Sequence, residues 1–532
     1  MFHVEQLKGV RQMAKIDEIR KQLASQNLIS IEELQPHSIP EIIHEHGVRI
    51  QELELSKQDN KNVGYLSDYT DYYNKEYGWS LALQQMVDEG VKHIYINDGL
   101  DHEMKVQGMD NTNKPYCVSL DNQTGVTIEC LNGSTLSFDY SQNILPNVFS
   151  CTNSEHITFK GVKFKGTGTR KNTQSRYALY TGCGIYTNKC NNIIVDDCHA
   201  HSTGYLVCLM DTDNSRVSNS TFKHDYYVSE WGNRMDKPYS AIILYSCKDS
   251  VVDNNVVYGG CLDGDISIFG GRTERCHIQN NKLYGYGWND NNKVVYFANQ
   301  GITYDQGCRD CIISQNILHG YYYGIDMKAD THNCLCVNNI IENTKVSIAD
   351  RQGEATHNGK SQFNKIQGNK IILGHNIKGE TLIHDYACIG ILVEERQGCQ
   401  IQNNDIVVSF YIKTTLGKSC GIYVSGREGD EHNSLYPQLI QQNSIMFCMF
   451  NNSTMFNTLP NSVAIHGLNL RCFDISHNCV KSYNANDTYE GVRLDTKATH
   501  GFIMYNTFFG HSSLGVKTDG ATLTNVQSNL SL

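Results

Sequence analysis

The chain has 532 residues, a formal net charge of −11, 40% hydrophobic and 19% charged residues. The hydrophobic share is too high for a disordered chain. No run of about 18 apolar residues is present to cross a membrane, and the acidic balance disfavours a nucleic-acid partner, which selects a basic face. There are 51 Asn and 44 Gly against only 7 Pro, which points to many tight turns within one regular stack. The 20 Cys show no tidy pairing, and the single CxxC, Cys308 and Cys311, has no second CxxC at zinc-ribbon spacing. They read as buried free thiols of a protein made in a reducing cytosol.

In chain order, residues 1–60 carry no repeat and form a polar helical leader, with Ile16, Ile19 and Leu23 as an apolar stripe. The start MFHVEQLKGVRQMAKIDEIRKQ is charged throughout and has no apolar h-region, so no export signal is read there. Residues 61–125 are a cap and first coil. The Tyr-rich YLSDYTDYYNKEYGW precedes SLALQQMVDEGVKHIYIND, in which Ser80 is expected to cap a helix whose Leu81, Leu83, Met86 and Val87 face the stack. The strand HIYIND then opens the first coil, and the helix shields an edge that would otherwise be unpaired.

Residues 126–532 carry two interleaved repeats. One is apolar, two polar residues, Asn, any residue, apolar: VDNNVV at 252, IQNNKL at 278, ISQNIL at 313, CVNNII at 336, IQGNKI at 366, IQNNDI at 401, IQQNSI at 440, ISHNCV at 475 and IMYNTF at 503. Its column of Asn255, Asn281, Asn316, Asn339, Asn369, Asn404, Asn443, Asn478 and Asn506 is the signature of side-chain amides bonded along a stack of strands. The other is a small residue followed by Ile or Val, from GIYT at 184 through CLMD at 208, AIIL at 241, DISI at 265, GITY at 301, GIDM at 324, SIAD at 347 and GILV at 390 to GVKT at 515. Spacings with a floor near 23 residues define one coil. Short alternating strands, Asn ladders and scarce Pro predict an all-β, right-handed parallel β-helix of about 12 coils. Cys276, Cys311, Cys334 and Cys399 share the parity of the inward apolar residue, so they are expected to stack inside.

The capping segment followed by these coils resembles the pectate-lyase-like β-helix superfamily, and within it bacteriophage tailspikes that depolymerise bacterial capsule or O-antigen. The resemblance covers roughly residues 61–532 and implies a homotrimer on a virion, synthesised in the host cytoplasm, that binds and cuts a bacterial surface polysaccharide. By the same analogy the segment 1–60 attaches to a phage tail or adaptor protein or serves trimerisation. It implies no cofactor and no membrane insertion.

Alternation places the residue after each Ile, and the one two further on, outside. The middle of this face is charged: Asp305, Asp326, Lys328, Arg351 and Glu394 fall on successive coils. Asp305 and Asp326, one coil and two residues apart, have Cα atoms roughly 8 Å apart, a separation suited to the acid and base of an inverting glycosidase. Asp305, Asp326 and Glu394 are therefore the candidate catalytic residues. Lys328 and Arg351 are candidates to hold an acidic sugar, and Tyr245 and Phe269 to stack on sugar rings. Glu230 and Trp231, in the long insertion VSEWGNRMDKPY at 228–239, are further substrate-binding candidates. The plain structural alternative is a ladder of ion pairs, Asp305 beside Lys328 and Arg351 beside Glu394. Because SIAD is the weakest repeat, a one-residue slip there would turn Arg351 inward. Two other functions stay open: a lyase working by β-elimination, with Lys328, His384 or Tyr245 as base, and a non-catalytic receptor-binding spike. A uronate epimerase fits less well without an export signal. No metal-binding motif is complete.

Overall fold

The structure is a computed structural model. It describes residues 62–139, 145–167, 182–201, 203–223, 240–258, 266–288, 294–352, 362–373, 388–409, 420–426, 436–448, 462–482, 489–495, 497–509, 514–519 and a few positions after 520. The chain divides into two compact units, 1–63 and 64–532. The expected leader 1–60, Glu230, Trp231 and His384 lie outside the described residues.

Three long sheets run the length of the second unit, with 16, 15 and 16 strands. From His93 on, the neighbouring strands run parallel apart from two short antiparallel hairpins. One coil shows the plan. Ser240–Tyr245 lies in the third sheet, Val251–Asp253 in the first and Val256–Tyr258 in the second. These pair with Ile266–Gly271, His277–Gln279 and Lys282–Tyr284 of the next coil. This is the parallel β-helix that the repeats announce, with more coils than the twelve that the motifs register. The additional coils precede residue 182, where the corner position later held by Asn is Ser134 or Val162, so no motif marks them. Among the described residues the helical elements are a 3₁₀ segment, Leu66–Tyr72, and the expected α-helix, Ser80–Asp88. Ala82, Leu83, Met86 and Val87 of that helix are buried in one core with Ile94 and Val118. Ser80 is not its cap: its hydroxyl instead accepts the Lys105 amide at 2.9 Å, and the N-cap is Trp79 without a side-chain bond.

The corner between the first and second sheets is made by a residue in the left-handed region, followed by the ladder residue. In successive coils the first of these is Gly133, Gly161, Asp197, Asn219, Asn254, Asn280, Gln315, Asn338, Gly368, Asn403, Gln442, His477 and Tyr505, all with φ between 51° and 80°. Asn and Gly tolerate this conformation best, so paired Asn-Asn recurs in the sequence. From Asn255 on, the second residue is the buried ladder Asn. Asn316 is representative: its Nδ2 donates to Ile278 O at 2.9 Å and Asn339 Oδ1 at 3.0 Å, and its backbone N donates to the same Oδ1 at 3.0 Å. The chain of amides runs from Asn255 to Asn506 and on to a tenth member, Asn529.

The inward Cys column is present: Cys276, Cys311, Cys334 and Cys399 are free and buried. They stand at the corner that enters the first sheet from the third. Two repeats sit two residues away from their motif alignment. Val207, not Leu209, pairs with Ile242, and Ile268, not Ile266, pairs with Ile302. Thr212 is accordingly buried, bonded to Thr187, and Ser267 is buried against the Tyr321 hydroxyl. A two-residue shift preserves the parity of alternation, so Met210 and Phe269 keep their outward facing.

Candidate functional site

The outer face of the third sheet is organised in columns. One runs Ile243, Phe269, Thr303, Asp326, Ala349, Leu392, Tyr423, His466. The next begins Tyr245, Gly271, Asp305, continues through the paired Lys328 and Arg351, and carries Glu394 and Ser425 farther along. The coil at 347 does not slip: Ile348 and Asp350 are inside and Arg351 is outside. It reads as a weak repeat because an acid, Asp350, occupies an interior position where other coils place Tyr304, Met327 or Val393.

Asp326 is the hub of the charged group. It has no exposed surface, and Arg351 grips it through both nitrogens, Nε to Oδ1 at 3.0 Å and Nη2 to Oδ2 at 2.8 Å. Gln300 Nε2 donates to Oδ2 at 2.8 Å. Lys328 Nζ stands 3.9 Å from Asp326 Oδ2 and 3.8 Å from Asp305 Oδ2, so it bridges the two carboxylates. Those two oxygens are thus no farther apart than the two arms together. Asp305 Oδ1 accepts the Gln306 amide at 2.7 Å. The Arg351 guanidinium lies 4.3 Å from the centre of the Tyr323 ring. Burial is the largest single influence and works against its charge, but the bonds to Asp326 and the nearby negative charges together outweigh it and raise the pKa.

Glu394 stands two coils beyond Asp326. Burial raises its carboxyl above the ordinary glutamate range, and the Arg351 charge opposes the shift without cancelling it. No ion-pair partner of Glu394 lies within reach among the described residues. The Arg351–Glu394 rung of an ion-pair ladder is therefore not formed, whereas the Asp305–Lys328 rung is.

Tyr245 and Phe269 border this cluster on its N-terminal side. They pack with Tyr186, Tyr205, Cys208 and Ile243 in an apolar group separate from the core. A Cβ at Gly271 would come within 2.8 Å of the Tyr245 ring and 2.9 Å of the Phe269 ring, so Gly is required there for both rings to lie against the backbone beside Asp305. The Tyr245 hydroxyl donates to Gln306 at 3.1 Å.

The face thus brings Asp305, Asp326, Lys328, Arg351, Glu394, Tyr245 and Phe269 onto one surface. Sequence reasoning missed Gln300 and Tyr323. Both sit just before the small residue of the repeat, Gly301 and Gly324. A Cβ at Gly301 would lie 2.5 Å from Gly324 O and 2.5 Å from the buried Leu318 side chain, so alternation breaks there, which brings a third outward column beside the two that alternation identifies. The signal was the polar or aromatic residue preceding Gly-Ile. Among the described residues, no group of three or more His, Cys, Asp or Glu side chains has the geometry to hold a metal ion.

Comparison with known proteins bears on the fold. No family model matches the chain, and no curated protein does. Among solved structures, the tailspike of E. coli bacteriophage HK620 in complex with a pentasaccharide is similar with a TM-score of 0.53 at 11% identity, over 88% of this chain and 81% of that one. A variant of the same tailspike, also with pentasaccharide, gives 0.54 at 12% identity, over 87% and 79%. The Streptococcus pneumoniae surface adhesin PfbA aligns over 88% of this chain and all of its own, at 15% identity and a TM-score of 0.42. The tailspike likeness shows that the parallel β-helix is shared.

Proposed function

We propose that this protein is a phage tailspike that binds a bacterial capsular or O-antigen polysaccharide on the outer face of the third sheet and cleaves it there as an endo-glycosidase. The observation that carries the reading is the convergence of Asp305, Asp326 and Glu394 with Lys328 and Arg351 on successive strands, beside an aromatic surface. Glycoside hydrolysis requires two carboxyl groups in different protonation states across the scissile bond. Asp305 and Asp326, joined by Lys328, are the acid–base couple. Lys328 touches both at ion-pair rather than hydrogen-bond distance, so a substrate carboxylate or hydroxyl can draw it aside. Glu394 is the alternative proton donor, favoured by its upward-shifted pKa and by the saturation of Asp326. Tyr245 and Phe269 stack on sugar rings. The biological unit is a homotrimer, with 1–60 joining the virion.

The test is incubation with a panel of purified bacterial capsular and O-antigen polysaccharides, followed by reducing-end and 235-nm absorbance measurement. New reducing ends without 235-nm absorbance are expected. Unsaturated ends would replace the hydrolase by a lyase. Binding without cleavage of any polymer would replace both by a receptor-binding spike.

A further inference from the structure

Beneath the charged face, inside the helix, lies a second charged pair. Asp350 has no exposed surface and Arg396 is 3% exposed. Arg396 Nε stands 2.8 Å from Asp350 Oδ1, and Asn364 Nδ2 lies 3.2 Å from each Asp350 oxygen. The remainder of the guanidinium reaches backward. Its Nη2 donates to Met327 O at 3.3 Å and also to Arg351 O. Gln438 Nε2 in turn donates to the Arg396 carbonyl at 2.5 Å. The surrounding interior is apolar, with Met327, Ile348, Ile391 and Val393 fully buried.

Taking two charges out of water costs several kcal/mol per ion even after relaxation, and apolar side chains of similar volume often serve stability as well or better. Stability alone therefore does not account for this pair. Its position does. Met327 immediately precedes Lys328, Arg351 is the guanidinium that grips Asp326, and Arg396 follows Glu394 by two residues. One buried side chain thus ties together the ends of three successive strands, each of which presents a charged residue of the candidate site.

We propose that Arg396, oriented by Asp350 and Asn364, is a positioning residue: it fixes the strand ends so that Lys328 and Arg351 meet Asp326 at the observed distances. The catalytic readout of this proposal rests on the polysaccharide-cleaving reading above, and its structural readout does not. Lysine in place of Arg396 keeps the charge beside Asp350 but not the planar fork that reaches two carbonyls. Paired apolar residues remove both the charge and the fork.

The experiment compares Arg396→Lys and the double variant Asp350→Leu/Arg396→Met with the parent protein in kinetics and crystal structure. For a polysaccharide that the parent cleaves, kcat is expected to fall about 100-fold in both variants, as small misplacements at a reacting centre do. KM should change little, and a variant losing only fold stability would keep the kcat of its folded fraction. In the crystal, Arg351 Nη2 should leave hydrogen-bond distance of Asp326. Parental kcat, or an unmoved Arg351–Asp326 contact in a folded variant, would overturn the proposal. If the double variant does not fold, Arg396→Lys decides alone. If the parent cleaves no polysaccharide, the functional reading falls while the crystal comparison still decides this one.

Discussion

The two corners flanking the first sheet are built in opposite ways. Where the chain leaves that sheet for the second, one residue type does the same work in ten coils, from Asn255 to Asn529, each amide bonding the next. Where the chain enters from the third sheet, the matching interior positions are Ser250, Cys276, Cys311, Cys334, Asn364, Cys399 and Gln438, and their partners change from coil to coil. Cys276 touches Cys247 O and Glu274 O through its thiol, whereas Asn364 turns to Thr331 and Asp350. The uniform corner is a pure scaffold, since only a repeated residue can make a continuous amide chain. The varied corner adjoins the ends of the strands that present the charged face, and the buried Asp350–Arg396 pair sits beside it. Irregularity in this molecule gathers next to the surface where chemistry is proposed.

The sharpest way to break the comparison is Asn339→Ala. It strands the backbone N–H of Asn316, takes one of the two acceptors from Asn316 Nδ2 and removes the amide donor from Ile313 O, while Asn369 Oδ1 keeps only the Asn339 backbone N–H. At about 1–3 kcal/mol for each buried unsatisfied group, a loss on the order of 4 kcal/mol is expected, read by denaturant unfolding.

Next in size is Glu394→Gln beside the varied corner, expected to lower the cleavage rate about 100-fold if Glu394 is the proton donor. The pH dependence has a definite sign. A carboxyl whose pKa is raised by folding contributes stability that is present below its ordinary value and lost as pH rises through the folded one. Glutamine carries no such loss, so the stability of the variant relative to the parent should rise with pH across that window. The alkaline limb of the rate profile should disappear in parallel.

Tyr245→Ala should raise KM about fivefold, taking ring stacking as worth on the order of 1 kcal/mol, with kcat nearly unchanged. Smallest of all is Cys276→Ser, expected to stay within about 1 kcal/mol of the parent in unfolding. The hydroxyl can donate to the Glu274 carbonyl that the thiol already touches, as Ser250 does to Lys248 O one coil earlier. A large loss there would make the varied corner as demanding as the uniform one.

The sequence made the ladder legible because a repeated Asn at fixed spacing has few other physical explanations, and alternation from the inward Ile placed Asp326, Lys328 and Arg351 outside. It did not reveal that the residue before each ladder Asn is left-handed, because Gln315, His477 and Tyr505 fill that place as well as Asn and Gly. The two-residue displacement at 208 and 265 was invisible to a period of two. Gln300 and Tyr323 escaped because alternation breaks at Gly301 and Gly324, whose Cβ positions point at the interior Leu318 and Ile341. Asp350 made its coil look irregular, since an interior acid is meaningful only once Arg396, 46 positions along the chain, is seen to meet it. The earliest coils hold Ser134 and Val162 where the ladder Asn later stands, so they could not be counted.

The most direct measurement of the central claim is a crystal structure of Asp326→Asn bound to an oligosaccharide fragment of a polymer that the parent protein cleaves. The account predicts sugar rings against Tyr245 and Phe269, with a glycosidic oxygen over the surface between Asp305 and Asp326, and cleavage abolished in that variant. Saccharide seated on another face, or full cleavage by Asp326→Asn, would contradict it.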